Sequence, residues 1–494
     1  MSRRVINSKG MPIMRKPRLT LALLAAAALA GCAAGPDYQR PALALPNAYV
    51  PAAAAPSASD QRYVAQDIPA QWWQLFHSDQ LNALINASLA QNPTLAAAQA
   101  ALRGAQENLY AQQGTRWPTV DASLASTRQK TAGVLASPLA SNDYYYNLHT
   151  TQLTVSYTPD LFGANRRQIE SLQAQAESQR FQLEASYLTL TSNVANAAIQ
   201  EAALRGQLEA SRAIVASQRL LLDSGRKLLA LGQSSEADVA QQEAALAAAE
   251  AALPPLEKQL SAQRNALAAL AGRYAADGVD ASFTLDALQL PAELPRTLPS
   301  TLVEHRPDVR AAEALLHAAS ADVGVAAANR LPNVTLGVNA WGSSASSLGD
   351  LLKAGSGFWT LAGSITQPVF DGGALKHKQA AAQAAYEQAA AQYRAAVINA
   401  FQNVADALQA IDANAAALRA AQRAEQAAAR SLAMARRQQE LGDISTVALL
   451  ASEQAWQQAK FASVQAQANR LSDTVALFQA LGGGWWNRPD TASR

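Results

Sequence analysis

The sequence has little of what enzymes use to build a reactive site. Cys32 is its only cysteine, so no intrachain disulfide can form. Its five histidines, His77, His149, His305, His317 and His377, stand at no short ligand spacing, and no metal site is expected. Charged residues make up only 16% of the chain and the net charge is +2, which argues against a nucleic-acid footprint. Aromatic residues are 6%. There is no G-x-S-x-G, no P-loop and no G-x-G-x-x-G. His305-Arg306-Pro307-Asp308 superficially resembles a kinase catalytic loop. It has no Gly-rich phosphate loop and reads as a helix start. No catalytic set and no cofactor are expected.

Helix breakers are missing where they matter most. Residues 164–231 contain no proline, and glycine only at 206 and 225. Ala, Leu, Gln, Glu and Arg dominate the stretch, and all favour helix. Ile169, Leu172, Ala176, Leu183, Tyr187, Leu190, Val194 and Ala197 recur mostly every three or four residues, as in a coiled-coil stripe. Residues 374–441 carry a second stripe: Tyr386, Ala390, Tyr393, Val397, Ala400, Val404, Ala407 and Ile411. At 1.5 Å per residue each helix would run about 100 Å. Two such rods predict a helical tube or stalk.

The N-terminus reads as a targeting segment. Arg3, Arg4, Lys9, Arg15, Lys16 and Arg18 precede an apolar run, Leu19 to Ala30, too short to span a bilayer of ~30 Å. Leu29-Ala30-Gly31-Cys32 resembles a bacterial lipobox, which implies cleavage after residue 31 and acylation of Cys32. Ala33, where a retained lipoprotein would carry Asp, implies the outer membrane. Residues 32–70 then read as a Pro- and Ala-rich extended arm.

The mature chain is a tandem repeat. Pro93 and Pro307 each open a helical run that ends at Pro118 and Pro332, both at an offset of 214 residues (307 − 93 and 332 − 118). Pro159 and Pro368 each lead through a glycine turn into a long helix. These helices end at Leu231-Gly232 and Leu441-Gly442, and a last helix follows each. The first repeat is assigned 71–272, the second 301–484, with 273–300 a linker and 485–494 a tail. Each half predicts helix, strand, strand, long helix, tight turn, helix. Pro118, Pro159, Pro332 and Pro368 sit at the helix–strand junctions, because proline keeps the residue before it out of the helical region.

The strands alternate. Val120, Ala122 and Leu124 alternate with Thr119, Asp121 and Ser123, and Leu153, Val155 and Tyr157 with Gln152, Thr154 and Ser156. Val334, Leu336 and Val338, and Trp359, Leu361 and Ile365, repeat the pattern. A transmembrane barrel with a wet lumen needs it, and a half-buried soluble sheet shows it too. Four strands cannot close a barrel in lipid, so spanning strands would require several copies to share one. Residues 131–147 and 342–357 are expected to be outward loops.

Cys32-Ala33-Ala34-Gly35-Pro36-Asp37-Tyr38, Trp72-Trp73 before Phe76, Arg306-Pro307-Asp308-Val309 and Ala480-Leu481-Gly482-Gly483-Gly484-Trp485, taken in order, resemble the TolC-type outer-membrane factors, closest to the NodT/OprM lipoprotein branch. The resemblance implies a mainly α fold with β: a long α-helical barrel plus a twelve-stranded transmembrane β-barrel shared by a homotrimer. It implies passive efflux of drugs or other small molecules delivered by a periplasmic adaptor and an inner-membrane RND-type pump. A duct for protein secretion or metal-ion efflux, and a lipid-anchored coiled-coil envelope protein without a pore, remain alternatives.

By the same resemblance, Leu231, Gly232 and Ser235, with Leu441, Gly442 and Ser445, form adaptor-docking tips. The family's gating aspartate aligns with Ala451. Glu236, Asp238, Asp443 and Glu453 are therefore the candidate aperture acids, and a carboxylate ring there would favour cations.

Overall fold

A computed structural model describes residues 34–42, 45–46, 48–49, 61–64, 66–135, 142–295 and 299–489. Cys32 and residues 1–31, expected to be a targeting segment, lie outside the described residues.

The described elements run in chain order. β1 (Arg62–Val64), α1 (Asp79–Gln91) and α2 (Pro93–Gly114) come first. β2 (Thr119–Lys130), β3 (Tyr145–Tyr157), α3 (Ala164–Ala230), α4 (Glu236–Ala251) and α5 (Leu253–Leu270) follow. Next come β4 (Glu293–Pro295), α6 (Pro299–His305), α7 (Pro307–Ala328), β5 (Asn333–Ala345) and β6 (Gly357–Thr366). α8 (Ala374–Leu441) and α9 (Thr446–Ala480) complete the chain. No described helix is long and apolar enough to cross a membrane.

Two details differ from the sequence reading. The last helix of the first half is broken at Ala252 into α4 and α5. Pro254 and Pro255 fall in the first turn of α5, where a missing N–H has no partner to lose. Its counterpart α9 has no proline and stays whole over 35 residues. The strands also reach further into the expected loops. Tyr145 and Tyr146 pair in register with Lys130 and Gln129, and β5 runs on through Gly342 to Ala345 past a bulge.

The chain divides into two units. One comprises residues 1–40, 104–176 and 314–390 and holds a four-stranded antiparallel sheet of order β2-β3-β5-β6. Thr119 pairs with Ser156, Tyr157 with Leu336, and Asn333 with Thr366. That register gathers Pro118, Pro159, Pro332 and Pro368 at one end of the sheet. The outer strands β2 and β6 are exposed along their whole length, on both faces. Leu361 and Ile365 of β6 are 70% and 74% exposed.

The other unit comprises residues 41–103, 177–313 and 391–494. β1 and β4 pair in parallel, joining the arm to the linker. Its aromatic core packs Trp72 against Phe478, ring centroids 5.3 Å apart. The tail closes over this core. Trp485 Nε1 donates to His305 O, and Trp486 Nε1 and Asn487 Nδ2 donate to the Asp67 carboxylate at 2.9–3.2 Å. Arg488 pairs with Glu184 at 2.6 Å and lies over the Tyr187 ring. Trp486 stacks on His305 at 3.9 Å, and burial there lowers the His305 pKa against the pull of Asp67 and Glu304.

Candidate functional site

The two hairpin turns are built by the same local chemistry, 210 residues apart (442 − 232). At the end of α3, Gln233 N–H bonds Leu228 O at 2.8 Å and Gly232 N–H bonds Leu229 O at 2.9 Å. Gly232 takes φ +74°, which glycine adopts without strain. The end of α8 repeats this. Asp443 N–H bonds Gln438 O at 2.8 Å, Gly442 N–H bonds Gln439 O at 3.0 Å, and Gly442 has φ +81°.

Ser235 caps α4 and Ser445 caps α9, each accepting from the backbone N–H three residues on. The first cap is a reciprocal box. Asp238 accepts the Ser235 N–H at 3.1 Å and the Ser235 Oγ–H at 2.7 Å. These bonds hold the Asp238 carboxyl below its usual pKa. The second cap has Ala448 in that place and no box. The side chains left outward are apolar: Leu231 is 71% exposed and Leu441 61%.

The four candidate acids occupy different settings. Glu236 and Asp443 are exposed at the turns. Asp238 is engaged in the capping box. Glu453 is 2% exposed. Its Oε1 accepts from Ser217 Oγ at 2.7 Å and Arg436 Nη2 at 3.1 Å, and its Oε2 accepts from Gln218 Nε2 at 2.7 Å. One carboxylate thus links α3, α8 and α9. It borders a groove of about 630 Å³ that also touches Leu220, Leu221, Leu449 and Trp456.

Sequence reasoning missed a regular feature of the first hairpin. Arg226 pairs with Glu243 at 2.7 Å, Arg219 with Glu250 at 2.7 Å, and Arg212 with Glu257 at 2.8 Å. Both series step by seven residues, the coiled-coil repeat, in opposite directions. The last pair crosses the proline break onto α5. The signal was in the sequence as heptad-spaced arginines facing heptad-spaced glutamates. Gly225 belongs here too, since a Cβ at that position would collide with the Gln242 side chain.

Among the described residues no group of His, Cys, Asp and Glu could hold a metal ion. The geometry offers two capped hairpin ends with exposed leucines, and elsewhere an open-edged amphipathic sheet.

A family model described as "Outer membrane efflux protein" matches residues 84–273 and 298–483. The pyoverdine export outer membrane protein OpmQ of Pseudomonas aeruginosa is 31% identical over 474 residues, covering 94% of this chain and 97% of that one. The toluene efflux pump outer membrane protein TtgC of Pseudomonas putida is 29% identical over 488 residues, covering 97% and 98%. Among solved structures, the outer-membrane channel OprN aligns with a TM-score of 0.82 at 26% identity, covering 92% of this chain and 100% of that chain.

Proposed function

Since this chain belongs to the outer membrane efflux protein family, we propose that three copies assemble into one channel that passively conducts small molecules outward, fed by a periplasmic adaptor and an inner-membrane pump. The observation that carries the reading is the four-stranded sheet with two open edges. In hydrocarbon each unpaired backbone group costs several kcal/mol. Joining β2 of one copy to β6 of the next removes every edge, and three copies of four strands give a twelve-stranded barrel. Apolar side chains on one face of each strand suit lipid, and polar ones on the other suit a water-filled lumen.

The hairpin tips are the adaptor-docking surface in this reading. Leu231 and Leu441 supply apolar contact, while Gly232 and Gly442 keep the turns narrow. Glu236 and Asp443 are the acids placed to line an aperture. Cys32 carries the lipid anchor. Selection of cargo belongs to the pump, in keeping with relatives named for pyoverdine and for toluene. The test is reconstitution of the purified mature protein in planar bilayers. Uniform conductance steps are expected, with cation preference that falls when Glu236 and Asp443 are neutralised together. A protein that inserts without conducting would refute the channel.

A further inference from the structure

One face of β2 changes character along its length. Its even-numbered side chains read Val120, Ala122 and Leu124, then Ser126, Arg128 and Lys130. The pairing of β2 with β3 runs from Thr119–Ser156 to Lys130–Tyr145 without a shift, so all six stand on the same face. The side-chain contacts agree. The Ser126 hydroxyl lies 2.8 Å from His149 Nδ1, and Lys130 Nζ sits 5.0 Å from the centre of the Tyr145 ring. Gln129, on the other face, donates to the Tyr146 hydroxyl.

The far end of this face is cationic and has no internal counter-charge. Arg128 and Lys130 are exposed, and no ion pair among the described residues holds either. The one carboxylate in β2 and β3, Asp121, is on the opposite face. Two residues of strand set Arg128 and Lys130 about 7 Å apart. His149, paired with Ser126, lies diagonal to Arg128 at about 7–8 Å. When the Ser126 hydroxyl donates to Nδ1, His149 Nε2 carries the ring proton and can donate to an anion. Guanidinium donors match two oxygens of a phosphoryl group at once, and an ammonium adds a point charge beside it.

The height of the cluster identifies the source of that anion. β2 begins at Thr119, at the end of the sheet where the four junction prolines gather. The nine residues from Thr119 to Arg128, at ~3.4 Å each and a barrel tilt of about 40°, climb roughly 24 Å. The apolar band of an outer-membrane barrel is about 25 Å tall. Arg128 and Lys130 therefore stand where the apolar face ends, on the side away from the prolines, with Tyr145 beside them as an interfacial aromatic. A soluble anion would use the charges alone. A lipid uses the charges and the apolar side chains below them.

We propose that Arg128 and Lys130, with His149, bind the phosphoryl headgroup of a lipid in the external leaflet, whose acyl chains lie along the face that carries Val120 and Leu124. This rests on the reading of β2 as a barrel strand with its apolar face in lipid. The site is repeated once in each copy of the chain.

The experiment uses the full mature protein in detergent. Equal amounts of diphosphoryl lipid A and of the same lipid stripped of its phosphates are added, and the lipid retained is read by native mass spectrometry. Wild type is expected to retain the diphosphoryl form at least tenfold over the stripped one. Arg128→Gln with Lys130→Gln is expected to remove that preference. Lys376→Gln with Lys378→Gln, the same charge change in α8, is expected to leave it. Equal retention of the two lipids by wild type, or the same loss from the α8 variant, would overturn the site. Retention abolished by inorganic phosphate would overturn the lipid as its occupant. In planar bilayers the Arg128/Lys130 variant is expected to keep the wild-type cation preference, and a shift would put these charges in the lumen and overturn the assignment. A wild-type protein that does not conduct fails the channel reading instead, so the two failures are distinct.

Discussion

Ser217 donates its hydroxyl to Glu453 at 2.7 Å across 236 residues of chain. With Gln218 and Arg436 on the same carboxylate, the contact ties three helices of the chain together. Removing one partner of a buried network leaves the others unsatisfied, at about 1–3 kcal/mol. Glu453→Ala is therefore expected to lower the stability of the helical part by that amount in chemical denaturation. Glu453→Gln is expected to leave cation selectivity unchanged, while Glu236→Gln with Asp443→Asn reduces it. Selectivity that follows Glu453 instead would place its carboxylate in the aperture.

The exposed tip leucines separate docking from folding. Substitution of an exposed side chain changes stability by less than about 0.5 kcal/mol. Leu231→Glu with Leu441→Glu should therefore leave the melting behaviour and the oligomer intact. Export should fall to the level of a strain without the channel, read as drug susceptibility. Gly232→Val is expected to add about 1–2 kcal/mol of backbone strain, although a Cβ there meets nothing.

The three arginine–glutamate pairs of the first hairpin predict a salt-sensitive register. Each side chain in the ladder is 42–63% exposed, and such a pair contributes about 0.2–1 kcal/mol. Glu250→Arg alone should destabilise the hairpin. Adding Arg219→Glu should restore it. The difference should vanish in 1 M salt, where the screening length is about 3 Å. Thermal melts of the single and double variants at low and high salt check this.

The tail clasp should open in acid. Burial raises the Asp67 pKa, but hydrogen bonds from Asn487 and Trp486, with the Ile68 N–H, outweigh it and leave the carboxyl below its usual value. A depressed carboxyl contributes stability above its unfolded pKa of about 3.9. That contribution is lost as pH falls through the folded value. Carboxypeptidase trimming past Trp486 should therefore accelerate below about pH 4, and Asp67→Asn should flatten that acid limb.

Much of the fold is legible in the sequence. The two rods, the proline junctions, the alternating strands and the glycine turns follow from local rules, since each depends on residues near one another in sequence. Features made by distant residues were not readable. Nothing about Gly324 alone shows that it packs against Gly35. Glu453 looked like one acid among several near the second turn, because its partners Ser217 and Gln218 lie in the other repeat. The break before Pro254 and Pro255 was legible, yet the symmetry of the repeat favoured one continuous helix. A junction proline acts on its own neighbours, so its effect is written in the local sequence.

Whether several copies share one barrel is tested most directly by native mass spectrometry of the mature lipoprotein in mild detergent, with circular dichroism on heating. A particle of three chains is expected, with a strand signal that outlasts the melting of its helices. A monomer that loses strand and helix signals together would contradict a shared barrel, because a single open-edged sheet cannot cross a membrane.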